Sequence, residues 1–162
     1  METKKLLTCC DLMIGDWVNI YKFTNDEKRV KDLFPAKVAS ILQGNEKENY
    51  NTIECVYGTK IASRPADTCL PIPLTAEILE KNGFSELMEH DEWSRIFRVY
   101  HDDLFIEVGI YEPMFINIGY VDNEGEEQPL SDIVKVHGEN FYVHELQHAM
   151  RLCGINDKEI VL

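Results

Sequence analysis

No apolar run in the sequence approaches the roughly 20 residues that a membrane-spanning helix needs, so no helical span is expected. The opening Met1-Glu2-Thr3-Lys4-Lys5-Leu6-Leu7 has two lysines but no hydrophobic core region. Asp11 closely follows Leu6-Leu7-Thr8-Cys9, which argues against a lipoprotein or secretory signal. The five cysteines (Cys9, Cys10, Cys55, Cys69, Cys153) are odd in number, scattered, and lack a C-x-x-C pair. That pattern argues against a disulfide framework and for reduced thiols in a cytoplasmic protein. Adjacent Cys9 and Cys10 would point to opposite faces of a strand, so a bond between them would be strained. A phosphate-cradling loop, a G-x-S-x-G elbow and a dinucleotide fingerprint are all missing, as are internal repeats and low-complexity stretches.

Basic residues are scarce in one half only. Residues 1–72 balance ten acids against ten Lys/Arg, whereas residues 73–162 hold nineteen acids and six Lys/Arg and so carry the whole formal charge of −13. A basic surface that tracks phosphates is not expected, which argues against nucleic-acid binding. The acidity suits a solvated surface; the sharper alternatives are a surface for a basic protein partner, or an acidic decoy of nucleic acid.

The length of 162 residues allows one domain or two small ones. Residues 1–72 read as strand-rich. Ile14-Gly15-Asp16-Trp17-Val18-Asn19-Ile20-Tyr21 enters through a glycine turn and then alternates. Pro35 to Ile41 and Thr52 to Tyr57 are further strands, with a weak one near Ile61 after Gly58-Thr59. Short antiparallel strands after a "GDWV" entry suggest an SH3-like barrel or curled sheet. Cys69-Leu70-Pro71-Ile72-Pro73-Leu74 reads as a hinge, because its two prolines favour an extended path.

Residues 73–162 open on a predicted helix, Ala76 to Asn82. Thr75 serves as N-cap, Leu74 and Leu79 as a hydrophobic staple, and Gly83 as the left-handed stop before Phe84. Glu86 to Trp93 is a loop or a short helix. A meander follows: Arg95 to Tyr100, Leu104 to Tyr111, Met114 to Val121, a hairpin turn at Asp122 to Gly125, and a last strand from Ile133 to Val136. Its apolar face needs a cover, and a C-terminal helix from about Val143 to Cys153 offers the stripe Val143, Leu146, Met150, Cys153. The expected class is α+β: a strand-rich SH3-like half, then an antiparallel sheet covered by helices.

At "LMIGDWV", "IPLTAEILEKNGF" and "VHELQHAMRLCGI" the chain resembles a group of small uncharacterised bacterial proteins found on phage-like or mobile DNA. The group shares a GD-[WY]-V entry, an I-P-L-T-x-E-I-L-x-K-x-G-F helix and a C-terminal H-x-L-Q-N-like helix. The resemblance runs from Leu12 to Ile155 and implies a fold and a genomic setting, with no activity attached. Where the group has Asn, this chain has His148; where it often has Gln, this chain has Glu145.

Those two departures create the one catalytic-looking string, H-E-x-x-H, at His144, Glu145 and His148. Histidines four apart share a helix face and can bind zinc, with the glutamate as general base. The metzincin continuation would need Gly at 151 and His at 154, but Arg151 and Gly154 stand there. Only Asp157 and Glu159 follow as late carboxylates. The simpler reading puts His144, His148 and Arg151 on a polar helix face. Asp122 to Glu127 departs from a calcium loop because its glycine falls fourth rather than sixth. Cys55, Cys69 and Cys153 read as inert buried thiols. Trp17, Tyr21 and Tyr57 are core residues or, alternatively, a binding face. We therefore assign no catalytic residue, cofactor or metal ligand from sequence. The expected function is a non-enzymatic interaction or accessory module; the alternatives are a minimal zinc-dependent hydrolase and the acidic decoy.

Overall fold

The computed structural model describes residues 7–23, 29–42, 52–87, 95–110, 114–134, 140–155 and 159–162. The chain forms two compact units, Met1–Ile72 and Pro73–Leu162. Both are built on antiparallel sheets, and among the described residues the two α-helices lie in the second, so the class is α+β. Among the described residues no helix is long and apolar enough to cross a membrane.

The first unit contains β1 (Trp17–Phe23), β2 (Arg29–Leu42), β3 (Thr52–Tyr57), β4 (Lys60–Pro65) and β5 (Leu70–Pro71) in the order β4-β3-β2-β1-β5. Alternation sets the inner face: Val18, Ile20, Ala36, Val38, Ile53, Cys55 and Ala62 are buried together. β2 begins well before the predicted Pro35, which sits inside the strand opposite Asn19. Proline is tolerated there because β2 changes partners along its length. It pairs with β1 up to Lys37 and with β3 from Lys37 onward, so Pro35 has an open flank and its missing N–H breaks no ladder.

The predicted hinge is structured on both sides of the unit boundary. Leu70 and Pro71 pair with Asn19 and Val18, and Pro73 bridges Tyr142 while the Leu74 N–H donates to Phe141 O at 2.9 Å. The prolines do favour an extended path, but extension here serves pairing at sheet edges.

The second unit contains α1 (Ala76–Lys81), β6 (Ser85–Glu86), β7 (Arg95–His101), β8 (Leu104–Ile110), β9 (Phe115–Val121), β10 (Glu127–Val134) and α2 (Val143–Leu152), with sheet order β10-β9-β8-β7-β6. The stretch predicted as loop or helix after Phe84 starts as strand β6; residues 88–93 of it lie outside the described set. α1 follows its local signals. Thr75 Oγ accepts from the Ile78 N–H at 3.4 Å, and Gly83 has φ 82°. Asn82 then does what no local pattern announced. Its amide reads both backbone groups of Val161, donating to the carbonyl and accepting from the N–H, each at 2.9 Å. Ile160, beside it, is buried.

β10 starts at Glu127, earlier than the predicted Ile133. A register shift between Pro129 and Ser131 explains the miss: the irregularity interrupts the period-two pattern and leaves Leu130 exposed. α2 packs on β9. Val143, Leu146, Met150 and Cys153 are all buried, and Leu146 alone contributes about 2 kcal/mol of apolar burial.

Candidate functional site

The H-E-x-x-H string occupies the first turns of α2, and that position decides what its residues do. The helix begins at Val143, so Glu145 is its third residue. From there the carboxylate turns back, and Oε2 accepts from the Tyr142 N–H at 3.0 Å. Glu145 thus satisfies one of the free N–H groups at the helix start and places negative charge at the positive end of the helix dipole. A carboxylate engaged this way is positioned as a cap.

His144 corrects the sequence reading, which put it on a polar face with His148 and Arg151. It is 1% exposed, and Gln147 is buried too. Its ring stacks on Tyr142 (centroids 5.9 Å apart, planes 6° apart) and meets the edge of His148 at 5.9 Å. The buried arc of α2 is therefore wider than the apolar stripe, because Val143, His144, Leu146 and Gln147 all face inward in its first turns. Among the described residues, no third His, Cys, Asp or Glu joins the pair in a set that could hold a metal.

The capping role has a direct test. Glu145→Gln keeps an acceptor oxygen and should stay within about 0.5 kcal/mol of the parent in urea unfolding, whereas Glu145→Ala should lose about 1 kcal/mol. A glutamine that cost more than alanine would contradict the cap.

The second candidate is an acidic sheet end. In the β7–β10 meander the turns at 102–103 and 122–126 fall at the same end, and the Val121 N–H donates to Asp103 O at 2.7 Å, tying them together. Asp102, Asp103, Glu124, Glu126 and Glu127 are exposed there, beside Tyr100 (52% exposed), whereas Tyr120, opposite Leu104, lies on the other face of the sheet. Asp102 adopts φ 52°, a conformation that aspartate tolerates better than most residues.

Asp122 organises the turn that opens at it. Its Oδ1 accepts from the Glu124 and Glu126 N–H groups at 2.9 Å each, and its Oδ2 from Gln128 Nε2 at 3.0 Å. The Glu126 N–H above all, with the Gln128 amide and the Glu124 and Gly125 N–H groups, holds its carboxyl below the ordinary aspartate range.

Arg98 braces this end from β7. Its Nε donates to Glu107 at 3.0 Å, its Nη1 to Tyr100 Oη at 2.9 Å, and it pairs with Glu127 as well. Tyr100 Oη also donates to Glu127 at 2.9 Å, and the guanidinium lies 4.8 Å from the Phe105 ring centre. Glu107 faces Arg98 directly across the strand pair, but Glu127 is two strands further on. Each strand's alternation is legible in the sequence, but this cross-sheet link is not.

The aromatic candidates of the first unit separate. Tyr57 packs edge-on against Phe34 at 4.7 Å and leans on the buried cluster, so it belongs to the core. Trp17 and Tyr21 are half-buried on the opposite side of β1 from Val18 and Ile20, with the Lys37 ammonium 5.2 Å from the Trp17 ring centre. Cys55, Cys69 and Cys153 are buried, and burial pushes the Cys153 thiol up; Cys10 is exposed.

No protein-family model matches this sequence, and neither a curated protein nor a solved structure matches it.

Proposed function

We propose that the chain is a non-enzymatic interaction module whose second unit receives a short basic segment of a partner protein. The observation that carries this reading is the acidic sheet end: exposed carboxylates on two tied hairpin turns, next to Tyr100. Carboxylates and a tyrosine ring together suit lysine and arginine side chains, through charge pairing and ring-face contact. Arg98 neutralises part of the charge at Glu107 and Glu127, leaving the turn carboxylates to face a ligand.

The patch spans β7 to β10, three strand spacings or about 14 Å, which suits a few residues of extended peptide better than the long carboxylate stripe a nucleic-acid decoy would present. The role given to Glu145 as a helix cap supports the non-enzymatic reading over the zinc hydrolase. For the first unit, the order β4-β3-β2-β1-β5 with a 3-10 turn at Ala66–Thr68 before the last strand supports an SH3-like barrel. The resemblance to proteins of mobile DNA supports an accessory role in that setting, inside the cytoplasm.

A lysine/arginine-rich peptide titrated into the full chain tests the reading. Binding should weaken as salt is raised, and a variant carrying Asp102→Lys, Asp103→Lys, Glu124→Lys and Glu126→Lys should bind at least about tenfold more weakly. Equal binding by parent and variant would overturn the site. Metal analysis of untagged protein gives an independent check: stoichiometric zinc that disappears in His148→Ala would restore the hydrolase.

A further inference from the structure

β10 forms one edge of the second unit's sheet, and among the described residues β9 is its only strand partner. Its side chains reach water: Glu127, Pro129, Leu130, Ser131, Asp132 and Ile133 are all exposed, Leu130 at 58% and Ile133 at 43%. The direction of its backbone groups follows from the register. The Val121 N–H donates to Asp103 O, so the hydrogen-bonding groups of Val121 point to the β8 side. Successive residues alternate, so those of Tyr120, Ile118 and Ile116 point to β10, where they meet Gln128, Ser131 and Ile133. The backbone groups of Glu127, Pro129 and Asp132 therefore face away from the sheet. Pro129 fits this geometry, because its missing N–H falls on the open side.

We infer that β10 takes up an extended segment of the partner by strand addition, and that this segment alternates Lys or Arg with apolar residues. The inference rests on the proposed interaction at the acidic sheet end, which β10 adjoins at Glu127, and it names how the partner binds there.

Charge selects the occupant. From Asp122 to Val134 the sequence has five acids and no Lys or Arg. Edge strands commonly carry lysines that deter pairing; here carboxylates attract a basic strand instead. A second copy of β10 would bring its own Glu127 and Asp132 against these carboxylates, and like charges facing each other across a strand pair are destabilising.

The pattern of the segment follows from the two faces of β10. Asp132 lies opposite Asn117 and Ile133 opposite Ile116, so their side chains project from opposite faces. An added strand sets its side chains beside those of β10 on the same faces, basic next to Asp132 and apolar next to Ile133. Main-chain bonds to the outward groups of Glu127 and Asp132 then hold the segment, and the alternation gives it specificity. Pro129 offers only its carbonyl, so the donors of β10 are used on either side of it.

The probe is a short peptide alternating lysine with valine, titrated into the full chain. It is compared with two versions, one N-methylated at every lysine and one at every valine. Only one edge of an added strand faces β10. One methylated version should therefore bind at least about tenfold more weakly, while the other binds like the unmodified peptide. Amide hydrogen exchange at Glu127 and Asp132 should slow at least about tenfold when the unmodified peptide is bound. Equal affinity of the two methylated peptides would overturn strand addition, as would unchanged exchange at those two amides. In either case the acidic site stands if the unmodified peptide still binds the parent and binds the acidic-turn variant weakly. Absence of any binding to the parent would overturn both. Protection of the same amides without peptide, growing with protein concentration, would give the edge to a second copy and overturn the inference.

Discussion

Gly119→Ala should destabilise the second unit by about 3 kcal/mol, far more than an alanine at a glycine usually costs in a strand. A Cβ at this position would lie 2.3 Å from Phe105 Cζ and 2.7 Å from the Gln128 carbonyl oxygen. Phe105 is the residue directly across the β8–β9 pair, and its ring occupies the space that Gly119 leaves. The same device recurs four residues along the same strand pair, with the roles of the strands exchanged. Gly109 faces Phe115 across the same strands, and a Cβ there would sit 2.5 Å from the ring. Each glycine is thus half of an aromatic–glycine pair, in which the ring covers backbone that would otherwise be bare. Urea unfolding of Gly119→Ala measures the loss. Gly125→Ala is the control: its φ of 85° is strained for alanine but nothing lies within 4 Å, so it should cost about 1 kcal/mol. Similar losses at both positions would mean that ring contact is not the cause. Displacing Phe105 also removes the surface under the Arg98 guanidinium, so Gly119→Ala should weaken basic-peptide binding even where the protein remains folded.

Features encoded by neighbours in the chain were legible, and features made across the sheet were not. α1 could be read from Thr75, Gly83 and Phe84 because a cap, a stop and the fold-back are all local; the Phe84 N–H indeed returns to Leu79 O at 3.1 Å. The strands β7 to β9 follow from period-two alternation. The Asn82 clamp on Val161 and the Arg98 bridge to Glu127 join residues distant in sequence, so no window of residues contains them. β10 was partly hidden by the irregularity at Pro129, which breaks the alternation used to find strands.

The H-E-x-x-H string was legible as residues, but the local roles of those residues were not. Its spacing does place both histidines on one side of a helix, and their rings do meet. What spacing alone leaves open is where the helix begins. With Val143 as first residue, Glu145 falls at the position from which a carboxylate reaches its own N-terminus. The burial of His144 was equally out of reach, because a polar residue's depth depends on what the tertiary fold stacks against it, here Tyr142.

Asp16→Ala should cost the first unit about 2–4 kcal/mol, although the residue reads in sequence only as part of a glycine turn. Asp16 is 0% exposed, and its Oδ2 accepts from the Met13 N–H at 2.7 Å. Its own backbone closes the entry: the N–H donates to Met13 O at 3.2 Å, and the carbonyl accepts from the Val38 N–H at 2.8 Å. Gly15, at φ 91°, donates in turn to Val38 O at 2.6 Å. The carboxylate therefore locks the turn that delivers Trp17 into β1 and fixes where β1 meets β2. Alanine would leave the Met13 N–H without this acceptor at a part-buried turn. Asp16→Asn keeps an oxygen there but loses the charge, and should cost roughly half as much. Urea unfolding gives the ranking, and hydrogen exchange at the Met13 amide reports the bond itself, with faster exchange expected in the alanine variant. If Asp16→Ala instead lay within about 0.5 kcal/mol of the parent while some binding or chemistry was lost, the buried carboxylate would have to be counted as a functional group and the structural account of the GDWV entry abandoned.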